Sequence, residues 1–137
     1  MKLVTVVADT NVIVSALFWG GNESKIVHLV EEGKIKLLTS VALLDELKKV
    51  LMYERFGLNE KEIDDNVKYI LTISKIISPK RRLRIIHEDP ADNRVLECAL
   101  AGKAAYIVSG DKHLLQLKKF EKAKILRPKE FLSIIKE

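Results

Sequence analysis

Four acidic side chains stand where simple packing does not favour them. Asp9 interrupts the apolar run VVADTNVIVSALF, Glu46 lies in TSVALLDELKKVL, Asp92 in HEDPADN, and Asp111 in SGD directly after AYIV. A bare carboxylate is costly to bury unless something pairs with it. Several carboxylates held close together raise one another's pKa unless a cation neutralises them. Oxygen-only ligation completed by water is what Mg²⁺ and Mn²⁺ accept. Ions held in this way can activate water and stabilise a leaving oxygen in phosphodiester cleavage.

The elements that must position these acids follow from periodicity. Leu3 to Ala8 is a continuous β-branched run, as in a buried parallel strand. Thr10 to Leu17 reads as a short helix broken at Gly20-Gly21, and Asn22 as the cap of a helix running to about Glu32 and stopped by Gly33. Ile35 to Thr39 is a second strand, and Ser40 opens a helix with Leu43, Leu44, Leu47, Val50 and Leu51 along one face. Another helix starts at Asn59, a strand lies near Lys75 to Ser78, and a basic loop covers Pro79 to Arg84. Pro90 begins a helix ending at Gly102; a strand at Ala105 to Val108, a helix from Asp111 to Leu117, a strand at Ala123 to Leu126 and a helix from Pro128 complete the chain. This alternation predicts an α/β fold, a three-layer α/β/α sandwich with a mainly parallel sheet of four to five strands, in one domain spanning residues 1–137. Ligands of such sheets bind outside the carboxyl ends of the strands. All four acids fall at or near strand exits.

Register sharpens the argument. Asp92, Val95, Leu96 and Ala99 recur at helical spacing, as do Asp9, Val12, Ile13 and Ala16, and Asp111 with Leu114 and Leu115. On the Ser40 helix, Asp45 lies nearly opposite the leucine stripe, whereas Glu46 sits on its flank and can reach inward. Helix capping accounts for Asp9, Asp89 and Asp111 one at a time, and the helix dipole favours Asp92 in a first turn. Capping does not account for the recurrence at several strand exits, nor for Glu46 in mid-helix. His28, His87 and His113 have no metal-ligand spacing, Cys98 reads as a small buried hydrophobe, and neither GxGxxG nor a Walker loop follows a strand.

Composition points the same way. The net charge is +5; of the 19 acidic residues four belong to this set, leaving 15 against 24 basic ones. A cationic surface around an acidic site suits a phosphate-backbone substrate. The densest basic patch is Lys80, Arg81, Arg82 and Arg84, either a solubilising loop or a contact for the phosphates. One cysteine allows no internal disulfide and fits a reducing cytoplasm, and neither a signal peptide nor a membrane span is expected.

The strings VVADTNVIVSALF, TSVALLDELKKVL, DPADNRVLECALAGKAAYIVSGDKHLL and ILRPKEFL resemble those of PIN-domain proteins, in particular the prokaryotic group of toxins from toxin–antitoxin pairs. The resemblance covers essentially the whole chain and is least distinctive between Gly57 and Ile86. It implies a fold similar to that of flap nucleases and a Mg²⁺- or Mn²⁺-dependent endoribonuclease acting on RNA. An antitoxin partner and a homodimer are implied with it. The family's acidic quartet falls on Asp9, Glu46, Asp92 and Asp111, with Asn11, Asn93 and Ser109 matching supporting polar positions. Two other readings stand beside this one: a phosphate-accepting receiver-type domain, for which Ala8-Asp9-Thr10 offers one acid where two are needed, and a catalytically silent PIN-fold module that binds RNA or protein.

Overall fold

The computed structural model describes residues 3–135. The chain runs β1 (Val4–Ala8), α1 (Thr10–Phe18), α2 (Gly21–Glu31), β2 (Ile35–Thr39), α3 (Val41–Leu51), a 3-10 turn (Glu54–Phe56), α4 (Glu60–Ile73) and β3 (Ser74–Ile76). It continues through α5 (Pro90–Gly102), β4 (Tyr106–Val108), α6 (Lys112–Leu117), β5 (Lys119–Phe120), β6 (Ala123–Leu126) and α7 (Pro128–Ile134). The strands form one sheet in the order β3-β2-β1-β4-β6-β5, parallel throughout except where β5 pairs antiparallel with β6.

The sheet is buried on both faces, and strand alternation divides the core in two. Val6 and Ala8 of β1, Leu37 of β2 and Val108 of β4 face one cluster, which takes in α1, α2, α3 and Phe131 of α7. Val7, Leu38 and Ile107 face the other, closed by Val95, Leu96, Cys98 and Ala99 of α5 and Leu114 of α6. Helices therefore cover both faces, as the alternation of elements predicts. Because β2 and β4 flank β1 on opposite sides, the order of connection reverses between β1 and β4, with Ala8 beside Val108. That reversal is where open parallel sheets leave a crevice. Asp9 leaves one of its walls and Ser109 to Asp111 leave the other.

Three local expectations change. The second helix begins at Gly21 with Gly20 as its N-cap, and no side chain caps it. Asn22 lies inside its first turn; Gly20 and Gly21, both at positive φ, make the reversal themselves. A sixth, two-residue strand follows Lys118, whose φ of 61° ends α6, and Glu121 at φ 54° lies in the turn of the β5–β6 hairpin. The strand expected near Lys75 to Ser78 starts one residue earlier and ends at Ile76.

Cys98 is fully buried under the sheet, and burial pushes its thiol up to about 12. The native protein should therefore resist a thiol-reactive disulfide reagent, with labelling limited by opening of the α5 face. Rapid stoichiometric labelling without denaturant would show that α5 does not pack as described.

Candidate metal centre

Each acid at the sheet's carboxyl end is placed by a helix start. Asp9, Asp89 and Asp111 are the N-caps of α1, α5 and α6. The Asp9 carboxylate accepts from Val12 N at 2.9 Å, Asp89 from Ala91 N at 3.1 Å and Asp111 from His113 N at 2.7 Å. Capping and clustering are thus two roles of the same side chains. Pro90 at the first helical position fixes the entry to α5 and leaves Asp92 in its first turn, on the face that enters the core.

Asp89, Asp92 and Asp111 each bring a carboxylate oxygen to within 4.8 Å of the other two. Asp92 is 6% exposed, and its Oδ2 is buried with no hydrogen-bond partner. Asp9 stands beside this group, but both of its oxygens are engaged: one by Val12 N, the other by the hydroxyl of Ser109. Ser109, fully buried, also accepts from Asp111 N at 2.9 Å. One hydroxyl thereby links the acid at the end of β1 to the acid after β4, across a sequence separation of a hundred residues.

The electrostatics follow from this crowding. Burial, then the charges of Asp111, Asp89 and Asp9, push the Asp92 carboxyl up to about 7. Burial also raises Asp9; the Ser109 and Val12 hydrogen bonds oppose that rise and the Asp111 charge adds to it. A buried acceptor without a donor, amid like charges, is an unfavourable arrangement for the bare chain. It is a favourable one for a hard divalent cation, because the donor set is carboxylate oxygen and open on one side.

Glu46 lies apart from the three-acid group. With Asp45, Ala42 and Lys49 it forms the face of α3 that lines an open groove of about 650 Å³, whose other wall is Arg82, Asp89, Ala91 and Arg94. Glu46 and Asp89 therefore face one space. Asn11 is exposed, while both ends of the Asn93 amide bond the backbone of Ile86. Lys80 and Arg81 line a second depression with Ser78 and Glu97, continuous through Arg82 and Ala42 with the groove of Glu46. Arg84 is exposed.

Sequence reasoning assigned Asp89 to capping alone. Its spacing of three from Asp92 carries no reliable signal, because the cap residue has extended backbone and its side chain does not follow the helical phase. Arg94 and Lys49 were not singled out either; both are cations in the groove.

The PIN domain family model matches residues 5–113. Among solved structures, PAE2754 from Pyrobaculum aerophilum is similar with a TM-score of 0.63 and 17% identity, covering 98% of each chain. The crystal structure of VapBC2 from Rickettsia felis bound to a DNA fragment from their promoter is similar with a TM-score of 0.59 and 16% identity, over 88% of this chain and 96% of that one. The PIN domain of T. brucei RRP44 is similar with a TM-score of 0.52 and 15% identity, over 96% and 80% of the two chains. No curated protein sequence matches. At these identities the structural likeness concerns the fold.

A pH dependence follows from the Asp92 shift. Its ordinary value is 3.8 and its folded value about 7, so between these the folded state holds more protons than the unfolded one. The contribution of Asp92 to stability in chelator should therefore be greatest below about pH 4, fall as pH rises through 7, and then level off. The raised Asp9 adds to the same slope. Asp92→Asn should flatten the fall and melt at or above the wild type at pH 8. A mutant that melts clearly lower there would mean that Asp92 serves the fold through its place in the first turn.

Proposed function

This chain belongs to the PIN-domain family, and on that premise we propose that it is a divalent-metal-dependent endoribonuclease, the toxin member of a toxin–antitoxin pair. The observation that carries the metal reading is the buried, unpartnered Oδ2 of Asp92 within reach of Asp89 and Asp111. Asp92, Asp111 and Asp89 would hold a Mg²⁺ or Mn²⁺ ion, with Asp9 beside them and Glu46 facing the same opening from α3. When bound, such an ion lowers the pKa of a water and neutralises charge on the phosphate oxygens.

The chain's own residues set up the rest. Ser109 fixes the Asp9 carboxylate, and the Asp111 amide fixes Ser109, so that two strand exits keep one spacing. Cations of the groove, Lys49, Arg82 and Arg94, face phosphate that would otherwise be repelled by the acids. Lys80 and Arg81 extend this basic edge. The groove is open, which suits an extended single strand.

The toxin assignment rests on the resemblance of the four motif strings to the prokaryotic toxin group, and it brings an antitoxin and a homodimer as partners. No described helix is long and apolar enough to cross a membrane. A single buried cysteine without a disulfide suits the cytoplasm.

The test is cleavage of a panel of single-stranded RNAs by nuclease-free protein, with Mg²⁺ or Mn²⁺ against chelator. Wild type should cut only with metal. Asp92→Asn, which is expected to keep or raise the melting temperature, should fall to background. Metal-independent cleavage, or an Asp92→Asn protein as active as wild type, would remove this site from the chemistry. RNA binding without cleavage under any metal would leave the silent binding module as the better reading.

A further inference from the structure

We propose that Glu97 and Asn93 are positioning residues: they tie the basic segment 80–84 to the helix that carries Asp92, and so set where the RNA backbone is held relative to the acids. The substrate class in this proposal rests on the nuclease reading above.

The segment between β3 and α5 has no helix or strand of its own. Its backbone donors and acceptors must nevertheless be satisfied where the chain is buried. They are satisfied by side chains of α5. Asn93 Oδ1 accepts from Ile85 N at 3.0 Å and Ile86 N at 2.8 Å, and its Nδ2 donates to Ile86 O at 2.7 Å. Glu97 Oε2 accepts from Leu83 N at 2.7 Å, while Arg94 Nη2 donates to Leu83 O at 3.2 Å. Positions 93 and 97 are one turn apart on a single helix face, so together they act as the strand this segment lacks. Leu83 and Ile86 turn into the core beneath, and Arg82 and Arg84 are left outside.

The charged part of the clamp argues that it serves more than stability. Glu97 is 5% exposed and pairs with Arg94 at 3.1 Å. A buried pair of this kind stabilises weakly or not at all compared with apolar residues of the same size. Here Arg94 Nε is in addition buried without a partner. What the arrangement does supply is geometry. It anchors residues 83–86 to the turn of α5 that follows Asp92, and Arg82 then lines the same groove as Glu46 and Asp89. Cations on a loose loop would hold phosphate at no fixed distance from the acids.

A double-mutant cycle tests this, read as RNA affinity in an Asp92→Asn background so that the probe, a single-stranded oligoribonucleotide of mixed sequence, is not cut. Unlike Glu97→Gln, which keeps an acceptor for Leu83 N and should bind RNA nearly as wild type, Glu97→Ala removes the side chain that holds the segment. It should weaken binding roughly three- to tenfold, on the scale of a lost phosphate contact or two, and reduce the slope of log affinity against log salt. In protein already carrying Arg81→Ala and Arg82→Ala, Glu97→Ala should add nothing. An effect of equal size in both backgrounds, or none in either, would overturn the proposal, as would absence of RNA binding by the parent. If Glu97→Ala does not fold, hydrogen exchange on the wild type decides. The amides of Leu83, Ile85 and Ile86 should be protected like those of α5, and exchange at the rate of an open loop would overturn the clamp. The nuclease reading fails separately: additive changes in a protein that cuts RNA sink only the clamp, and coupled binding in a protein that never cuts sinks only the nuclease.

Discussion

Mutual repulsion of carboxylates at the reversal of the sheet is the constraint around which the rest of this molecule is arranged. The pairing of β1 with β4 brings the exits of two strands side by side, and α5 starts against the same place. An aspartate follows or precedes each of these element ends, so the fold concentrates negative charge at this crevice. Helix-start amides offset part of it, since Asp9, Asp89 and Asp111 each accept from a backbone N–H of the helix they cap. The Ser109 hydroxyl satisfies the second oxygen of Asp9. Among the described residues nothing does the same for Asp92 Oδ2, and burial and the neighbouring carboxylates raise the pKa of Asp92. A proton or a cation must make up the difference.

This explains why capping and metal binding are not competing accounts. The caps Asp89 and Asp111 use one oxygen on the helix and keep another for a ligand, and Asp92, two residues past the proline at the helix start, uses neither on the helix. Stability and the proposed function then pull in opposite directions at Asp92, as is common where an active site stores unfavourable contacts. The same tension is present in α5, where buried Glu97 and partly buried Arg94 are charges whose benefit lies in holding a segment in place.

Much of the site was legible because local rules carry it. Strand exits, N-caps and helical register place Asp9, Asp92 and Asp111 without any knowledge of tertiary contacts. Asp89 was legible as a cap but not as a member of the cluster, because a cap side chain does not follow the helical phase and its second oxygen is free to turn. Glu46 was legible as a side chain on the flank of the leucine stripe; that it faces a groove shared with Arg82 and Arg94 depends on how α3 packs near α5. The Ser109–Asp9 bond joins residues a hundred positions apart, and no periodicity reports such a contact. The segment 83–86 is the clearest failure of local reading: it is ordered by the side chains of Asn93 and Glu97 instead of a backbone ladder. A polar residue at 93 and a charged one at 97, one turn apart in an otherwise apolar helix face, were the trace it left. In the fold, the errors fell at positive-φ residues, at Gly20-Gly21 and at Lys118, where the chain turns within one or two residues.

The most direct measurement is proton release on metal binding, by calorimetric titration of Mn²⁺ in buffers of different ionisation enthalpy. A carboxyl held near pH 7 by burial and by its neighbours must lose its proton to become a ligand. The account predicts saturable Mn²⁺ binding with about one proton released per ion near pH 6, much less near pH 8, and no such pH dependence in Asp92→Asn. Absence of Mn²⁺ binding, or binding with no proton release at either pH, would contradict it.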